Sequence, residues 1–340
     1  MPIEDYHATA GNWREQLQKN ERKTRFVIVI FILIYLIVGL IADILVLQSF
    51  FPNISMQRAF TALITLQTIP YATLIMGGIA ALSLLITFSL YDRIMLLGTE
   101  YHEVTPENTT NINEKKLYNV VEEMKVAAGL KFMPKVFIIE ANYMNAFASG
   151  YSEKSAMVAI TRGLMEKLDR AEMQAVMAHE LSHIRHNDIK LTLTVAVLSN
   201  ILLIVIDVLF YSLIFRPNRR NDSRMLLVVM VLRYVLPIIT ILLTLFLSRT
   251  REFMADSGAV ELMRDNEPMA RALLKISQDN SEHAEQYVQE YGRTAHEQVR
   301  QSSYLFDPST IDPVKSLSNA FSTHPDIDKR LQALGYKRKD

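Results

Sequence analysis

DRAEMQAVMAHELSHIRHND, residues Asp169 to Asp188, opens with an acidic residue followed three positions later by a glutamate, and continues with apolar residues at helical spacing. That is the reciprocal pattern that caps a helix N-terminus, so a helix is expected to begin at Asp169. Inside it, His179 and His183 stand four residues apart with Glu180 between them, an HExxH pattern. Positions i and i+4 share one helical face, so both imidazoles can reach a single zinc ion, and Glu180 then stands beside the open coordination position, able to take a proton from an attacking water. The bland alternative is a solvated helix face. The capped start and the apolar residues Ala175, Val176 and Met177 just before the motif argue against it.

A third ligand is sought downstream. Glu252 lies in the run REFMAD, Arg251 to Asp256, and on a helix Asp256 would face the same side, placed to hydrogen-bond the free nitrogen of a ligating histidine. The residues alone leave open the alternative of an acidic helix surface beside Arg249 and Arg251. His186 is the competing ligand, but on the same helix as His183 it would crowd the pair. The extended HExxHxxGxxH pattern is absent, and a surface histidine at the helix end is the simpler reading of His186.

Outside this region the chain is dominated by lipid-like segments. Half of its 340 residues are apolar, and they are bunched. The block Phe26 to Leu47 meets the roughly 20 residues that a helix needs to span a bilayer. It is a poor signal peptide, because a long polar segment precedes it and no small-residue cleavage pattern follows. The block Ala59 to Tyr91 is too long for one upright span; Pro70 lacks the N–H that a helix interior uses, so Tyr71 to Tyr91 is taken as the second span. Leu191 to Phe215 and Met225 to Leu247, joined by RPNRRNDSR, read as a membrane hairpin.

Arg14, Lys19, Arg22, Lys23 and Arg25 precede the first span and only Arg58 lies in the next connector, which places the N-terminus inside. The expected organisation is a cytosolic N-terminal segment (1–25), a two-helix anchor (26–91), the first part of a cytosolic catalytic domain (92–190), the hairpin (191–247) and the second part of that domain (248–340). In the first part, a helix is expected from Glu114 to Leu130, followed by strands at Val136–Ile139, Ala146–Ser149 and Met157–Ile160 forming a small antiparallel sheet. The fold class is thus an α+β membrane protein, mostly helical, with about four membrane helices. With 36 basic and 36 acidic residues, nothing in the charge suggests nucleic acid. With no cysteine, disulfides and thiolate ligands are excluded, and metal ligands must be His or carboxylate.

NAFASG at Asn145–Gly150, TRGL at Thr161–Leu164, HELSHIRHND at His179–Asp188, the hairpin, REFMAD, and STHP at Ser322–Pro325, in that order behind two spans, closely resemble the HtpX branch of the M48 metallopeptidases. Those are membrane zinc proteases of bacterial membrane-protein quality control and stress response. The resemblance covers most of the chain. It implies a gluzincin-like catalytic domain with one Zn2+ per chain held by His179, His183 and Glu252, Glu180 as the base, and Asp256 orienting a ligand. It implies that the strand containing Asn145, Ala146 and Phe147 binds an extended substrate by strand addition, against the alternative of a buried strand with a polar end. It also implies that His324 helps hold the substrate or oxyanion, with Arg330 as its ion-pair partner, a structural cap being the alternative for His324. Substrates would be unfolded or misfolded membrane proteins. The location would be the cell inner membrane, multi-pass, with the catalytic domain facing the cytoplasm. Nothing indicates the oligomeric state.

At about 1.5 Å per helical residue, the zinc would lie roughly 8 to 15 Å beyond the hairpin ends. Arg216, Arg219, Arg220 and Arg224 in the hairpin link would then face outside, against the positive-inside rule. Asp207 and Arg233 are equidistant in sequence from Arg220 and are expected to pair at one depth. Rival functions fit less well. A prenyl-protein protease would carry more spans, and a site-2-type intramembrane protease would not place Glu172, Arg185, Asp188 and Lys190 on the motif helix or directly after it. A zinc transporter would show metal-binding side chains in its spans, which hold no histidine; a non-catalytic scaffold would have little reason to keep Glu180.

Overall fold

Apolar blocks become long helices, and the proline and polar links between them become their ends. The computed structural model describes residues 3–8, 13–51, 53–96, 100–109, 111–150, 152–215, 223–293, 304–305 and 324–338. The elements are β1 (Tyr6–Ala8), α1 (Trp13–Phe50), α2 (Met56–Ile64), α3 (Tyr71–Leu96), β2 (Tyr101–Val104), α4 (Ile112–Ala128), β3 (Lys135–Ile139), β4 (Ala146–Ser149), β5 (Met157–Thr161), α5 (Arg162–Lys167), α6 (Arg170–Arg185), α7 (Asp188–Ile214), α8 (Ser223–Met263), α9 (Glu267–Glu282), α10 (Ala284–Arg293), α11 (Ile327–Ala333) and β6 (Tyr336–Arg338). They divide into one unit of Met1–Thr24, Phe88–Leu191 and Leu245–Asp340, and another of Arg25–Thr87 and Thr192–Thr244.

The second unit is the apolar one. By length and composition, three of the described helices can cross a membrane, Trp13–Phe50, Asp188–Ile214 and Met225–Met263, while Tyr71–Thr87 is a shorter apolar helix. Val38, Ala42, Leu45, Leu202, Ile206, Val229 and Leu236 pack together at its centre. Ile32, Leu36, Ile204, Val208, Ile238 and Leu242 on the same helices are more than half exposed. A water-facing surface would not carry so many large apolar side chains; a lipid-facing one would.

Three charged residues in this unit have local explanations. Asp43 is buried, and its carboxylate accepts from the Ala72 N–H (2.6 Å), the Thr73 N–H (3.1 Å) and the Thr73 hydroxyl (2.6 Å). It therefore caps the start of α3 from a neighbouring helix, satisfying donors that Pro70 and the helix geometry leave open. Asp43→Ala is expected to destabilise the fold by about 1–2 kcal/mol, read as a lower melting temperature in detergent with metal content unchanged. Asp207 and Arg233 form the expected pair, Nε to Oδ1 2.8 Å, and the guanidinium also donates to the Tyr211 hydroxyl (3.2 Å) and lies over the Phe210 ring. The link carrying Arg216, Arg219 and Arg220 lies outside the described residues, as do Ser322 and Thr323 of the STHP run.

The first unit contains a four-stranded sheet of order β2-β3-β5-β4. Its three expected strands are present, but the sheet is mixed rather than antiparallel: β3 and β5 run parallel, Val136 opposite Val158, whereas β2 pairs antiparallel with β3 and β4 with β5. The β4–β5 hairpin explains the difference. β5 takes the inner position beside β3 and β4 the edge, although every residue of both strands is buried. β2 has only one fully buried residue and little apolar alternation, so its sequence gave no strand signal. The two ends of the chain pair as β1 and β6, with Tyr6 opposite Arg338. Helices α4 and α9 pack on α6, burying Leu117, Val120, Val121, Val176, Leu181, Leu273 and Ile276 in one core.

Candidate metal centre

The start of α6 is fixed as its sequence requires. The Asp169 carboxylate accepts from the Glu172 N–H and the Glu172 carboxylate from the Asp169 N–H, both at 2.9 Å, and Lys275 donates to Glu172 at 2.7 Å. From that anchor the helix carries His179, Glu180 and His183 into the protein; His179 is fully buried and Glu180 nearly so. The two imidazoles turn their Nε2 atoms toward each other at 3.2 Å. Helix α8 brings Glu252 to the same point, with Oε1 3.5 Å from His183 Nε2 and Oε2 3.8 Å from His179 Nε2.

The opposite ring nitrogens settle what this convergence means. His179 Nδ1 lies 3.0 Å from Asp256 Oδ1, and His183 Nδ1 lies 2.8 Å from Asp188 Oδ2. An ionised carboxylate only accepts, so each Nδ1 carries the proton and each Nε2 presents a bare lone pair. Two lone-pair nitrogens and a carboxylate thus meet, with ligand atoms all within 4.8 Å of one another. This donor set, two imidazole nitrogens and a carboxylate, fits a cation. Burial, with His179 adding to it, holds the His183 pKa well below its ordinary value, which keeps the ring in the neutral form that can bind metal.

Glu180 completes the group. Neither of its buried carboxylate oxygens has a hydrogen-bond partner of normal geometry among the described residues. Burial pushes its pKa well above the usual carboxylate range and the Glu252 charge adds to that; the Ala148 backbone N–H and Arg330 offset only part of it. A carboxylate left this way is suited to receiving a proton.

The Arg330 guanidinium forks onto Asp256, Nε to Oδ2 2.9 Å and Nη2 to Oδ1 2.6 Å, and donates to the Leu305 carbonyl at 2.9 Å. The planar fork matches a carboxylate at two points. His324 reaches the site, its Nε2 3.7 Å from Glu252 Oε1. His186 caps α6 with its Nδ1–H donated to the Ser182 carbonyl (2.8 Å) and is not in the metal-binding group.

Ala146 and Phe147 are buried on the edge strand β4, and Asn145 is buried directly before it. The Ala146 carbonyl accepts from the Leu305 N–H (2.8 Å) and the Phe147 ring packs edge-on against Tyr304. What this strand can offer a substrate is therefore backbone, not these side chains. The TRGL run sets its position: the Thr161 hydroxyl donates to the Tyr143 carbonyl (2.6 Å) and accepts from the Asn145 N–H (3.0 Å). A Cβ on Gly163 would sit 2.0 Å from the Asn142 carbonyl oxygen. Because that obstacle is backbone, Gly163→Ala is expected to cost about 1–3 kcal/mol, seen as a lower melting temperature.

Asp188 and Arg251 escaped the sequence reading. Asn187 adopts φ 54°, which breaks the helix between His183 and Asp188, so helical spacing could not connect them. Arg251 ion-pairs with Asp188 and donates to the His186 carbonyl (3.1 Å), tying the end of α6 to α8 next to Glu252.

Residues 111–338 match the model of peptidase family M48. A protease HtpX homolog of Helicobacter acinonychis (strain Sheeba) is 39% identical over 95% of this chain and 98% of its own, and one of Listeria monocytogenes serotype 4a is 30% identical over 94% and 98%. Among solved structures, S. mikatae Ste24p is similar at TM-score 0.49 and 20% identity, over 77% of this chain and 58% of that one. With two thirds of its length matched by the family model and nearly all of it aligned to the curated relatives, this chain belongs to peptidase family M48 and is a membrane-bound metalloprotease.

Proposed function

We propose that the metal is zinc, one ion per chain, held by His179, His183 and Glu252, and that the enzyme hydrolyses peptide bonds in unfolded or misfolded membrane proteins at the cytoplasmic face of the cell inner membrane. The observation that carries this reading is the meeting of two imidazole Nε2 atoms and a carboxylate beside the buried Glu180. When bound, the metal supplies Lewis-acid polarisation of the scissile carbonyl and acidifies water. Glu180 takes the proton from the attacking water and later delivers it to the leaving amide nitrogen. Asp256 and Asp188 keep the two imidazoles in the tautomer that leaves Nε2 free. His324 stands within reach of a substrate oxygen.

The substrate class follows from the site's surroundings. An extended segment would pair with the β4 backbone in exchange for the Tyr304–Leu305 contact, a mode that reads little side-chain sequence and admits only unfolded chains. The basic residues Arg14 to Arg25 before the first span support the cytoplasmic orientation. The test is cleavage of casein and of a loosely folded membrane protein by detergent-purified enzyme, before and after chelation and zinc return. Activity is expected to vanish on chelation and to return at one zinc per chain, and changing His179 or His183 to Ala should lose both metal and turnover. Undiminished cleavage by the metal-free protein would contradict the reading.

A further inference from the structure

Helices α6 and α8 pack against each other where Gly258 faces Ser182. A Cβ at position 258 would lie 2.1 Å from Ser182 Oγ and 2.8 Å from Ser182 Cβ. Ser182 is buried between His179 and His183 on α6, and Gly258 follows Glu252 and Asp256 on α8. Gly258 is not among the glycines with positive φ, so its backbone does not call for glycine. Inside a helix, glycine is disfavoured relative to alanine. What the position needs is the missing side chain.

We propose that Gly258 is a positioning residue of the metal centre: with no Cβ there, α8 sits close enough to α6 for Glu252 to reach both histidines and for Asp256 to reach His179. Side-chain ties also hold α8 to α6 and the turn after it, Arg185 to Glu261, Arg251 to Asp188 and Arg251 to the His186 carbonyl, but they run through long flexible arginine side chains and do not fix the separation of the axes. The contacts that depend on that separation have little slack. A retreat of about 1 Å by α8 would take the 3.0 Å His179–Asp256 approach out of hydrogen-bond range and pull Glu252 away from both Nε2 atoms. This inference rests on the zinc reading above.

The test uses the full-length protein in detergent, with zinc affinity measured by competition against a chromophoric chelator and the melting temperature of the zinc-free protein measured alongside. Gly258→Ala is expected to bind zinc about 10–100-fold more weakly than wild type. Ser182→Gly removes both atoms that the new Cβ would meet, so the double variant Gly258→Ala/Ser182→Gly should return to within about threefold of Ser182→Gly alone. Ser182→Ala, which leaves the Cβ, should rescue only partly. A residue mattering only through helix propensity would give a stabilised Gly258→Ala with unchanged affinity, and that result overturns the proposal. So does a double variant that fails to recover, including the case in which Gly258→Ala does not fold. If wild type itself holds no zinc, the reading of the metal centre falls and this inference with it; a zinc-loaded wild type with an unaffected Gly258→Ala removes this inference alone.

Discussion

Glu180→Gln is expected to hold zinc as the wild type does and to cleave unfolded protein about 10²–10⁴-fold more slowly. The glutamine keeps the shape of the side chain and removes the carboxylate beside the metal-binding set that can accept and return a proton. Zinc is retained because the atoms that converge belong to His179, His183 and Glu252. In wild type the buried carboxylate is pushed toward its protonated form by its surroundings, so the residue is poised to change protonation state during a cycle. Metal content by atomic emission, measured beside casein cleavage, decides it. Activity within tenfold of wild type would remove Glu180 from the mechanism, and loss of zinc would mean that it serves the metal.

Asp256→Ala should have the largest effect on stability. Arg330 is almost completely buried and its fork is spent on Asp256, so removing the carboxylate leaves a buried charge without its two-point partner, held by the Leu305 carbonyl and the Glu252 carboxylate 3.5 Å away, with Glu180 nearby. Breaking a buried pair in this way costs about 3–5 kcal/mol. The same change frees His179 Nδ1 and should weaken zinc binding about 10–100-fold. Thermal melts with and without zinc separate the two losses: the zinc-free protein should already melt well below wild type. Unchanged melting of the zinc-free variant would show that Arg330 finds another partner.

Much of this was legible from local rules. Asp169 and Glu172 announce the start of α6, HExxH needs only helical periodicity, and Pro70 marks the start of α3 at Tyr71. The Asp207–Arg233 pair follows from hairpin symmetry. What escaped is what depends on contacts between distant segments. Strand order is set by pairing between segments distant in sequence, and β4 and β5 are buried alike, so nothing local places β5 rather than β4 beside β3. Arg330 lies far along the chain from Asp256, so no local rule pairs the two. Asp188 was visible as a residue, but the left-handed turn at Asn187 takes it out of helical phase. Gly258 resembles any helical glycine until Ser182 is brought against it.

The central claim, that two histidines and one glutamate of this chain hold the metal, is tested most directly by X-ray absorption at the zinc edge on the purified full-length Glu180→Gln protein, repeated with Glu252→Ala added. The account predicts a shell of two imidazole nitrogens with oxygen neighbours at about 2.0–2.2 Å and no sulfur, since the chain has no cysteine, and loss of stoichiometric zinc when Glu252 is removed. A shell containing a third imidazole, or full zinc occupancy without Glu252, would contradict it.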